Sequence, residues 1–229
     1  MLSFINQKGP LTEGIFRKSA SIKACKALKE KLDSGDKVTL DDESVLVVAS
    51  VLKDFLRNIQ GSIFSASLYD KWLGVIDQGN EEKKITATKR LLDQLPRANA
   101  VLLRYLFGVL SNIEQHSSSN QMTAYNLSVC TAPSIFCPPN SGSSDLENNF
   151  TKQISFVQFL IENYLKIFGE DITSLLGESS MSCDNSDITD SSENPAAKPP
   201  LEVKPVTQLQ NDVKPSSSMG PPSYIATTV

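Results

Sequence analysis

Residues 45–61 read VLVVASVLKDFLRNIQG, and this stretch decides the class of the fold. Apolar side chains recur in it at intervals of three and four residues, the spacing that places them on one face of an α-helix. Lys53 and Arg57 are four residues apart and share another face of the same helix. The pattern ends at Gln60 and Gly61, so the stretch predicts a single helix. The side predicted to be buried carries Val45, Val48, Leu52, Phe55, Leu56 and Ile59.

The same helical spacing continues on both sides of this stretch. No convincing strand alternation competes with it, so we predict an all-α domain. Pro133 is expected to stop the helix that begins near Thr123, and a polar loop is expected from Pro138 to Ser144. Helices are predicted over residues 21–33, 45–60, 66–76, 81–94, 96–115, 123–132 and 146–168. The predicted buried stripe of the first of them carries Ile22, Cys25, Leu28 and Leu32.

The composition changes after Leu176, where Ser, Pro, Asp and Lys become frequent and Phe and Trp are absent. Such a segment buries too little apolar surface to offset an ordering cost of about 1 to 2 kcal/mol per residue. We therefore predict one folded domain over residues 1–176 and a disordered, Ser/Pro-rich acidic tail over residues 177–229. The formal charge of −4 belongs to the tail, because the domain carries equal numbers of acidic and basic side chains.

Several classes of function find no support in the composition. A neutral domain lacks the strongly basic face that nucleic-acid binders usually carry. The four cysteines and the single histidine form neither a CxxC pair nor a Cys/His cluster, so we expect no metal site and no disulfide framework. We find no signal peptide and no run of about 20 apolar residues that could span a bilayer. We therefore expect a cytoplasmic protein.

Residues 14–17, Gly-Ile-Phe-Arg, place a cation directly after two apolar side chains. Gly14 allows close backbone approach or unusual dihedral angles, and Ile15 and Phe16 can hold the loop on the core. Arg17 would then be presented to a partner, where its guanidinium can stabilise negative charge. From these four residues alone, however, Arg17 is more simply interpreted as an ordinary exposed charge before a helix. Lys18 is the neighbouring cation that could be mistaken for the functional one.

Four polar side chains further along the chain are candidates for the same site: Lys53, Arg57, Asn120 and Asn126. Lys53 and Arg57 repel each other on one helical face. Either solvent surrounds this face, or other groups compensate the repulsion between the two charges. An amide offers both donors and an acceptor, so Asn120 and Asn126 can tie a loop or bond to the backbone of a partner. A turn residue at Asn120 and an internal brace at Asn126 are the simpler alternatives.

Three segments, in a fixed order, carry a resemblance to a known family: GPLTEGIFRKSA (residues 9–20), SVLKDFLRNIQGSIF (residues 50–64) and NQMTAYNL (residues 120–127). Together they resemble the Rho GTPase-activating protein (RhoGAP) domain, from about Leu2 to Leu175. The resemblance implies an all-helical domain that accelerates GTP hydrolysis by a Rho-family small GTPase in its GTP-bound state. It implies an activator with no substrate site and no cofactor of its own, since GTP and Mg²⁺ belong to the GTPase.

By this resemblance Arg17 is the arginine finger, because the family motif ends its apolar pair directly before that arginine. Such a residue stabilises charge on the transferring phosphoryl group, and in Ras-type systems it increases the rate by about 10³ to 10⁵. Asn126 is implied to be a contact near the catalytic centre, and Asn120 a rim or loop-shaping residue beside it. The residues implied to contact the GTPase or support the finger are Lys53, Arg57, Asn120 and Asn126, and those implied to shape the loop are Gly14 and Phe16.

The chain departs from the family pattern at several positions. Lys18-Ser19-Ala20 follows the finger where family members commonly have Val-Ser-Gly, so the loop has less freedom to adopt a glycine conformation. Gln60 stands where Pro is frequent, and Ser134 stands where Asn is usual. The family domain normally begins one or two helices earlier, so we expect an N-terminally shortened scaffold. These departures leave a second function open: a pseudo-GAP that binds a GTPase or another signalling partner without stimulating turnover.

Two short motifs in the tail suggest partners of a different kind. Residues 221–224, Pro221-Pro222-Ser223-Tyr224, fit the PPxY pattern of a polyproline segment that WW domains bind. Thr227, two residues before the terminal Val229, fits a strand that a PDZ domain captures. Chance matches to such short motifs are common in a Ser/Pro-rich segment, so a tail without a specific partner remains the alternative. An adaptor that works only through this tail would leave the ordered motifs of the domain unexplained.

Overall fold

The computed structural model describes residues 1–35, 37–136, 146–169 and 176, and its description of side chains in the last long helix begins at residue 149. These residues form helices and turns and include no strand, which confirms the all-α prediction for the described part. All of them belong to one compact unit, Met1–Cys183. The helices are α1 (Leu2–Lys8), α2 (Ile22–Asp33), α3 (Val45–Arg57), α4 (Tyr69–Ile76), α5 (Glu81–Leu92), α6 (Arg97–Gln115), α7 (Ser117–Asn120), α8 (Ala124–Ile135), α9 (Leu146–Glu162) and α10 (Tyr164–Phe168). Among them, no helix has the length and apolar character needed to cross a membrane.

Side-chain caps determine where three of these helices begin. Ser21, Asn80 and Thr123 each accept a hydrogen bond from the backbone N–H three residues further on. Such caps contribute about 0.5–2 kcal/mol each to helix stability. Ser21 starts α2 four residues after Arg17, and Thr123 starts α8 shortly before Asn126. The caps therefore define the start of the helix that follows the Arg17 loop and of the helix that carries Asn126.

An aromatic cluster around Phe64 forms the centre of the core. Phe64 and Phe136 stack with their ring centroids 4.6 Å apart, and Trp72 meets Phe64 edge-on at 5.0 Å. The Trp72 Nε1–H also donates to the Phe64 carbonyl oxygen over 2.7 Å, so the buried indole has its polar partner. Phe107 of α6 and Phe156 of α9 complete the cluster. Because α8 packs on both α3 and α9, the core supports the helices that carry Lys53 and Asn126.

The buried face of α3 largely agrees with the prediction. Val48, Leu52 and Leu56 are buried, whereas Phe55 is 50% exposed, so the prediction is wrong at that residue. Phe55 lies near the end of α3 and lines a surface depression of about 430 Å³ together with Leu32 of α2. Its exposure follows from this incomplete cover by the neighbouring helix, which the periodicity of α3 alone does not report.

The predicted buried stripe of α2 is also wrong at one end. Leu28 is completely buried, and Cys25 and Leu32 are partly buried against the core. Ile22, in contrast, is 87% exposed. Ile22 lies in the first turn of α2, and at about 100° per residue its side chain points about 120° away from that of Leu28.

The prediction that Pro133 stops the preceding helix is wrong, because α8 continues to Ile135. Proline has a helical φ but no N–H, so it removes one hydrogen bond of the helix. That loss costs less near the end of a helix, where few further turns depend on it. The Phe136 N–H donates to the Ala132 carbonyl oxygen over 2.9 Å and closes the helix beyond the proline.

Other boundaries differ from the prediction as well. The final predicted helix is divided at Asn163, whose side-chain amide donates to the Phe159 carbonyl oxygen over 3.2 Å. Neither α1 nor α7 was predicted, and α1 buries Ile5 completely in the core. The predicted loop 138–144 and the predicted tail 177–229 lie outside the described residues, so the domain boundary at residue 176 stays a prediction.

Candidate functional site

The loop that carries Arg17 is held by its own backbone and by the core beneath it. The N–H groups of Arg17 and Lys18 both donate to the Gly14 carbonyl oxygen, over 2.9 and 2.8 Å. The Gly14 N–H donates in turn to the Asn120 carbonyl oxygen over 2.8 Å. Ile15 is fully buried and Phe16 is 2% exposed, whereas Arg17 is exposed. The loop is therefore anchored on both sides of a side chain that faces solvent.

Two residues of this loop have a left-handed backbone. Gly14 has φ +68°, and a Cβ atom there would lie 2.9 Å from the Lys18 Cγ, so glycine suits both the dihedral angle and the space. Phe16 has φ +66°, which costs a residue other than glycine about 1–3 kcal/mol. Ala20 is not among the residues with positive φ. The conformation seen here therefore does not need the glycine that the family usually has at that position.

Lys53 holds the loop from below. Its Nζ donates to the Phe16 carbonyl oxygen over 2.7 Å, which joins the middle of α3 to the residue directly before Arg17. The ammonium is half-buried, and this burial lowers the pKa of Lys53 below its ordinary value. The nearby Cys130 raises the pKa of Lys53, and the positive charge of Arg57 lowers it further.

Arg57, one turn further along α3, reaches α8. Its Nη2 donates to the Ser134 hydroxyl oxygen over 3.1 Å. Ser134 was noted in the sequence only as a departure from the family, and its partnership with Arg57 was not predicted. The sequence did contain a signal for this contact, because Ser134, Cys130 and Asn126 are spaced by four and so lie along one side of α8.

Cys130 lies beside two of the cations. Burial raises the pKa of its thiol, whereas the positive charges of Lys53 and then Arg17 lower that pKa.

Asn120 is completely buried and acts as a brace within the domain. Its side-chain amide donates to the Ile113 carbonyl oxygen over 2.7 Å and to the Pro10 carbonyl oxygen over 3.2 Å. Its side-chain oxygen accepts from the Met122 N–H over 2.8 Å. Together with the backbone bond to Gly14, these contacts tie the end of α6 to the start of the Arg17 loop. The geometry therefore gives Asn120 a loop-shaping position and leaves it no surface for a partner.

Asn126 lies in the first turn of α8 and is partly exposed. Its Nδ2 donates to the Gln121 carbonyl oxygen over 3.1 Å, and Gln121 itself has φ +63°. One donor of the amide thus steadies the turn between α7 and α8. Its side-chain oxygen has no hydrogen bond to the described part of the chain, so this acceptor can serve a partner.

A groove of about 850 Å³ between α2 and α3 opens beside Arg17. Lys18, Lys53 and Arg57 also line it, together with Asp54, which forms an ion pair with Lys29. The side chain of Arg17 makes no hydrogen bond or ion pair with the residues that the structure describes. The side chain of Lys18, in contrast, forms an ion pair with Glu13. A second depression of about 730 Å³ lies between α4 and α5 and contains none of the predicted site residues.

The remaining predicted site residues lie elsewhere. Pro221, Pro222, Tyr224, Thr227 and Val229 are outside the described residues. Over residues 1–35, 37–136, 146–169 and 176, His, Cys, Asp and Glu side chains do not gather in any group that could hold a metal ion. Arg17, Lys53 and Arg57 thus line one groove, and Asn126 lies on the side of α8 that carries Cys130 and Ser134. Asn120 is buried beneath the Arg17 loop.

The family follows from a comparison with known proteins. The family model of the RhoGAP domain matches residues 1–140, so the chain belongs to the RhoGAP domain family. It is 70% identical over 185 residues to human Rho GTPase-activating protein 20, a match that covers 80% of this chain and 16% of that protein. It is 40% identical over 217 residues to human T-cell activation Rho GTPase-activating protein, covering 93% of this chain and 28% of the relative. The chain thus spans less than a third of the length of either relative.

Solved structures agree on the fold. The crystal structure of human Rho GTPase activating protein 15 superposes with a TM-score of 0.70 at 25% identity, and the match covers 73% of this chain and 81% of that one. The BH domain from GRAF superposes with a TM-score of 0.66 at 21% identity, over 74% of this chain and 91% of that one, which shows the fold alone. The RhoGAP-type helical architecture implied by the sequence motifs is thereby confirmed.

Proposed function

We propose that this chain is a GTPase-activating domain for a Rho-family small GTPase and that it supplies Arg17 to the active site of its partner in trans. The family and the names of its relatives support the activating role. The observation that carries the residue assignment is the contrast within residues 15–17. Two buried side chains precede an exposed guanidinium that makes no hydrogen bond or ion pair with the residues that the structure describes. Such a guanidinium is free to enter another protein's site.

The chemistry of GTP hydrolysis explains why this arrangement is useful. Negative charge shifts on the transferring phosphoryl group, and the protein accelerates the reaction mainly by positioning and by electrostatic stabilisation. The cationic guanidinium of Arg17 offers several donors in one plane. Because the backbone on both sides of Arg17 is already fixed, little reorganisation is needed when the charge develops. Among the residues of this site, Arg17 is the one that we assign as the direct donor to the phosphoryl group.

The other residues act by position or by contact. Lys53 holds the Phe16 carbonyl, Arg57 joins α3 to α8, and Asn126 offers its side-chain oxygen at the rim. In the proposed complex Asn126 and the exposed part of Arg57 contact the GTPase, while Lys53 supports the finger. Asn120 supports the loop from within the core.

The proposed role is that of an activator and not of an enzyme with its own substrate site. GTP and Mg²⁺ are contributed by the GTPase in its GTP-bound state, and the chain brings no cofactor of its own to the reaction. We propose that it acts in the cytoplasm, where partners recruit it to membranes that carry the GTPase. Binding of a WW or PDZ domain through the tail stays a prediction from the sequence.

Single-turnover hydrolysis of GTP by several Rho-family GTPases, with and without the full chain, tests this function. We expect Arg17→Ala to lose most of the acceleration, approaching about 10³-fold, and Arg17→Lys to restore little because the planar fork is lost. Lys18→Ala is the matched control, since it removes the neighbouring cation that already pairs with Glu13. Equal stimulation by the Arg17→Ala variant and the parent would show that Arg17 is not the finger.

The same assay decides between activation and binding alone. The binding-only alternative relied in part on Ala20, but the left-handed positions of the loop are Gly14 and Phe16. Ala20 therefore lends that alternative no support. A chain that binds GTP-loaded GTPase and leaves its hydrolysis rate unchanged would nevertheless establish it.

A further inference from the structure

Ser19 occupies an unusual place beside the Arg17 site. It is exposed, in irregular backbone between the Arg17 loop and the first residue of α2. Its hydroxyl makes no hydrogen bond to the part of the chain that the structure describes, in contrast to Ser21, whose hydroxyl caps α2 by accepting from the Ala24 N–H. Ser19 is thus an accessible nucleophilic oxygen without an assigned structural task.

The surroundings of Ser19 are rich in positive charge. It lines the same groove as Arg17, Lys18, Lys53 and Arg57. The hydrogen-bond partners of Lys53 and Arg57 are a carbonyl and a hydroxyl, which are neutral and leave both positive charges uncompensated. Three carboxylates also line the groove, against six cations: Asp54 pairs with Lys29, Glu30 lies 3.9 Å from Lys26, and Asp33 is the third. An anion attached to Ser19 would therefore meet cations from the loop and from α3.

The residues before Ser19 fit a particular class of modifying enzyme. Arg17 and Lys18 directly precede it, and both are exposed. Charge patterns around the acceptor residue are a main source of specificity between protein kinases and their substrates. An exposed serine in irregular backbone after two cations suits a basophilic serine kinase. Ser21 is a less suitable acceptor, because its oxygen already caps a helix.

We propose that Ser19 is a phosphorylation site and that its phosphate switches off the Arg17 site. In the transfer, the Ser19 Oγ attacks the γ-phosphorus of kinase-bound ATP, a new O–P bond forms, and the bond between the γ-phosphorus and the β,γ-bridging oxygen breaks. The hydroxyl proton passes to the kinase base, and ADP leaves. The consequence for GTP hydrolysis rests on the proposed function.

The inhibition follows from charge and position. A phosphoserine carries about −1.5 to −2 charges at pH 7 and three strong acceptor oxygens. Two residues away, Arg17 has a free fork that pairs well with phosphate oxygens. An Arg17 engaged in this way is no longer available to the partner's nucleotide. The added dianion also repels the phosphates of GTP when the GTPase approaches, so both effects act in the same direction.

The test begins with a full chain in which Ser19 is replaced by genetically encoded phosphoserine. Ser21→phosphoserine is the matched control, with the same charge two residues further on at the N-terminus of α2, where an anion is favourable. We expect phosphoserine at residue 19 to lower the stimulated single-turnover rate at least tenfold and the control to retain most of it. Full stimulation with phosphoserine at residue 19, or an equal loss in both variants, would overturn the proposal.

Two further measurements need no GTPase. Cyclic-AMP-dependent protein kinase with Mg-ATP should phosphorylate the unmodified chain at Ser19, and the signal should disappear in Ser19→Ala. Phosphate on other residues only would overturn the kinase assignment.

The second measurement is a ³¹P NMR titration of the chain with phosphoserine at residue 19. The second pKa of this phosphoserine should be lower when Arg17 is present than in the Arg17→Ala variant, because the guanidinium stabilises the dianion. An identical pKa would exclude the contact with Arg17. If the unmodified chain stimulates no Rho-family GTPase, the proposed function fails while these two measurements still decide the modification and the contact.

Discussion

Replacing Lys53 by Met tests whether the Arg17 loop must be held from below. Methionine keeps a flexible apolar stem of similar length and removes the ammonium. In the parent, the Lys53 Nζ donates to the Phe16 carbonyl oxygen over 2.7 Å. A hydrogen bond that involves a charged group contributes about 1.5–3 kcal/mol. Phe16 also has a left-handed backbone, with φ +66°, so the loop depends on such contacts to stay in this conformation.

The size of the expected effect follows from that bond. If its free energy serves to keep Arg17 in the productive position, its loss lowers the stimulated rate about 10- to 150-fold, because about 1.4 kcal/mol corresponds to a factor of ten. The loss should fall mainly on the limiting rate, since an interaction that orders the finger acts most strongly in the transition state. The concentration of chain that gives half of that rate should change less.

Single-turnover hydrolysis at increasing chain concentration separates these two quantities, and thermal unfolding of each variant shows that the domain remains folded. Lys29→Met is the matched control. It removes another lysine of the same groove, but one that forms an exposed ion pair with Asp54, and such pairs are largely screened. An unchanged limiting rate in Lys53→Met, or an equal loss in Lys29→Met, would refute the role assigned to the bond with Phe16.

The pH dependence provides a second readout of the same contact. Burial lowers the pKa of Lys53 in the folded chain below its ordinary value. As the pH rises through this lowered pKa, the ammonium becomes neutral and its bond to Phe16 weakens, so stimulation relative to the intrinsic rate should fall. Between the folded and unfolded pKa values the unfolded chain binds more protons, so the contribution of Lys53 to stability rises over the same pH range. The loss should therefore occur without unfolding, and Lys53→Arg should lack it because a guanidinium stays charged. The same alkaline decline in Lys53→Arg would assign it to another group.

Three further variants examine the rest of the site. Asn120→Ala removes three buried hydrogen bonds and takes the side-chain partner from the Pro10 carbonyl and the Met122 N–H, whereas the Ile113 carbonyl still accepts from the His116 N–H. Denaturant unfolding should therefore show a loss of about 2–4 kcal/mol, and an unchanged transition would exclude the bracing role. In a double-mutant cycle, Arg57→Ala and Ser134→Ala should couple by about 0.5–1.5 kcal/mol in affinity for a GTPase bound to GDP and aluminium fluoride. Additive effects would show that the 3.1 Å bond between them plays no part in binding. Ile22→Ser should weaken the affinity for the same GTPase complex by about 1–2 kcal/mol, because Ile22 is 87% exposed beside the Arg17 loop. Leu165→Ser on α10 is the control and should leave that affinity unchanged. Equal effects of the two substitutions would remove Ile22 from the interface.

The part of the site that depends on local sequence was predictable, and the part that depends on tertiary contacts was not. Two apolar residues before Arg17 indicated anchors below an exposed side chain, and the structure has that arrangement. The acceptor of Lys53, however, is a backbone carbonyl, and any residue type at position 16 would present one. Asn120 bonds to groups that are 7 and 110 residues away in the chain, which no local pattern links. The positive φ of Phe16 carries no sequence signal either, because phenylalanine does not favour that region.

The way in which the cations are held explains how a neutral domain can present a positive site. Lys18 and Lys29 have carboxylate partners in Glu13 and Asp54, so their charges are largely compensated. Lys53 and Arg57 are held instead by a carbonyl and a hydroxyl, which fix their positions without cancelling their charge. Arg17, which has no carboxylate partner among the described residues, adds a third positive charge in the same groove. A count of acidic and basic residues cannot show this difference, because it depends on which acceptor each cation meets. In the proposed function Arg17 enters the partner's site, and the charges of Lys53 and Arg57 lie behind it, so their potential attracts the phosphates of GTP during association and in the transition state.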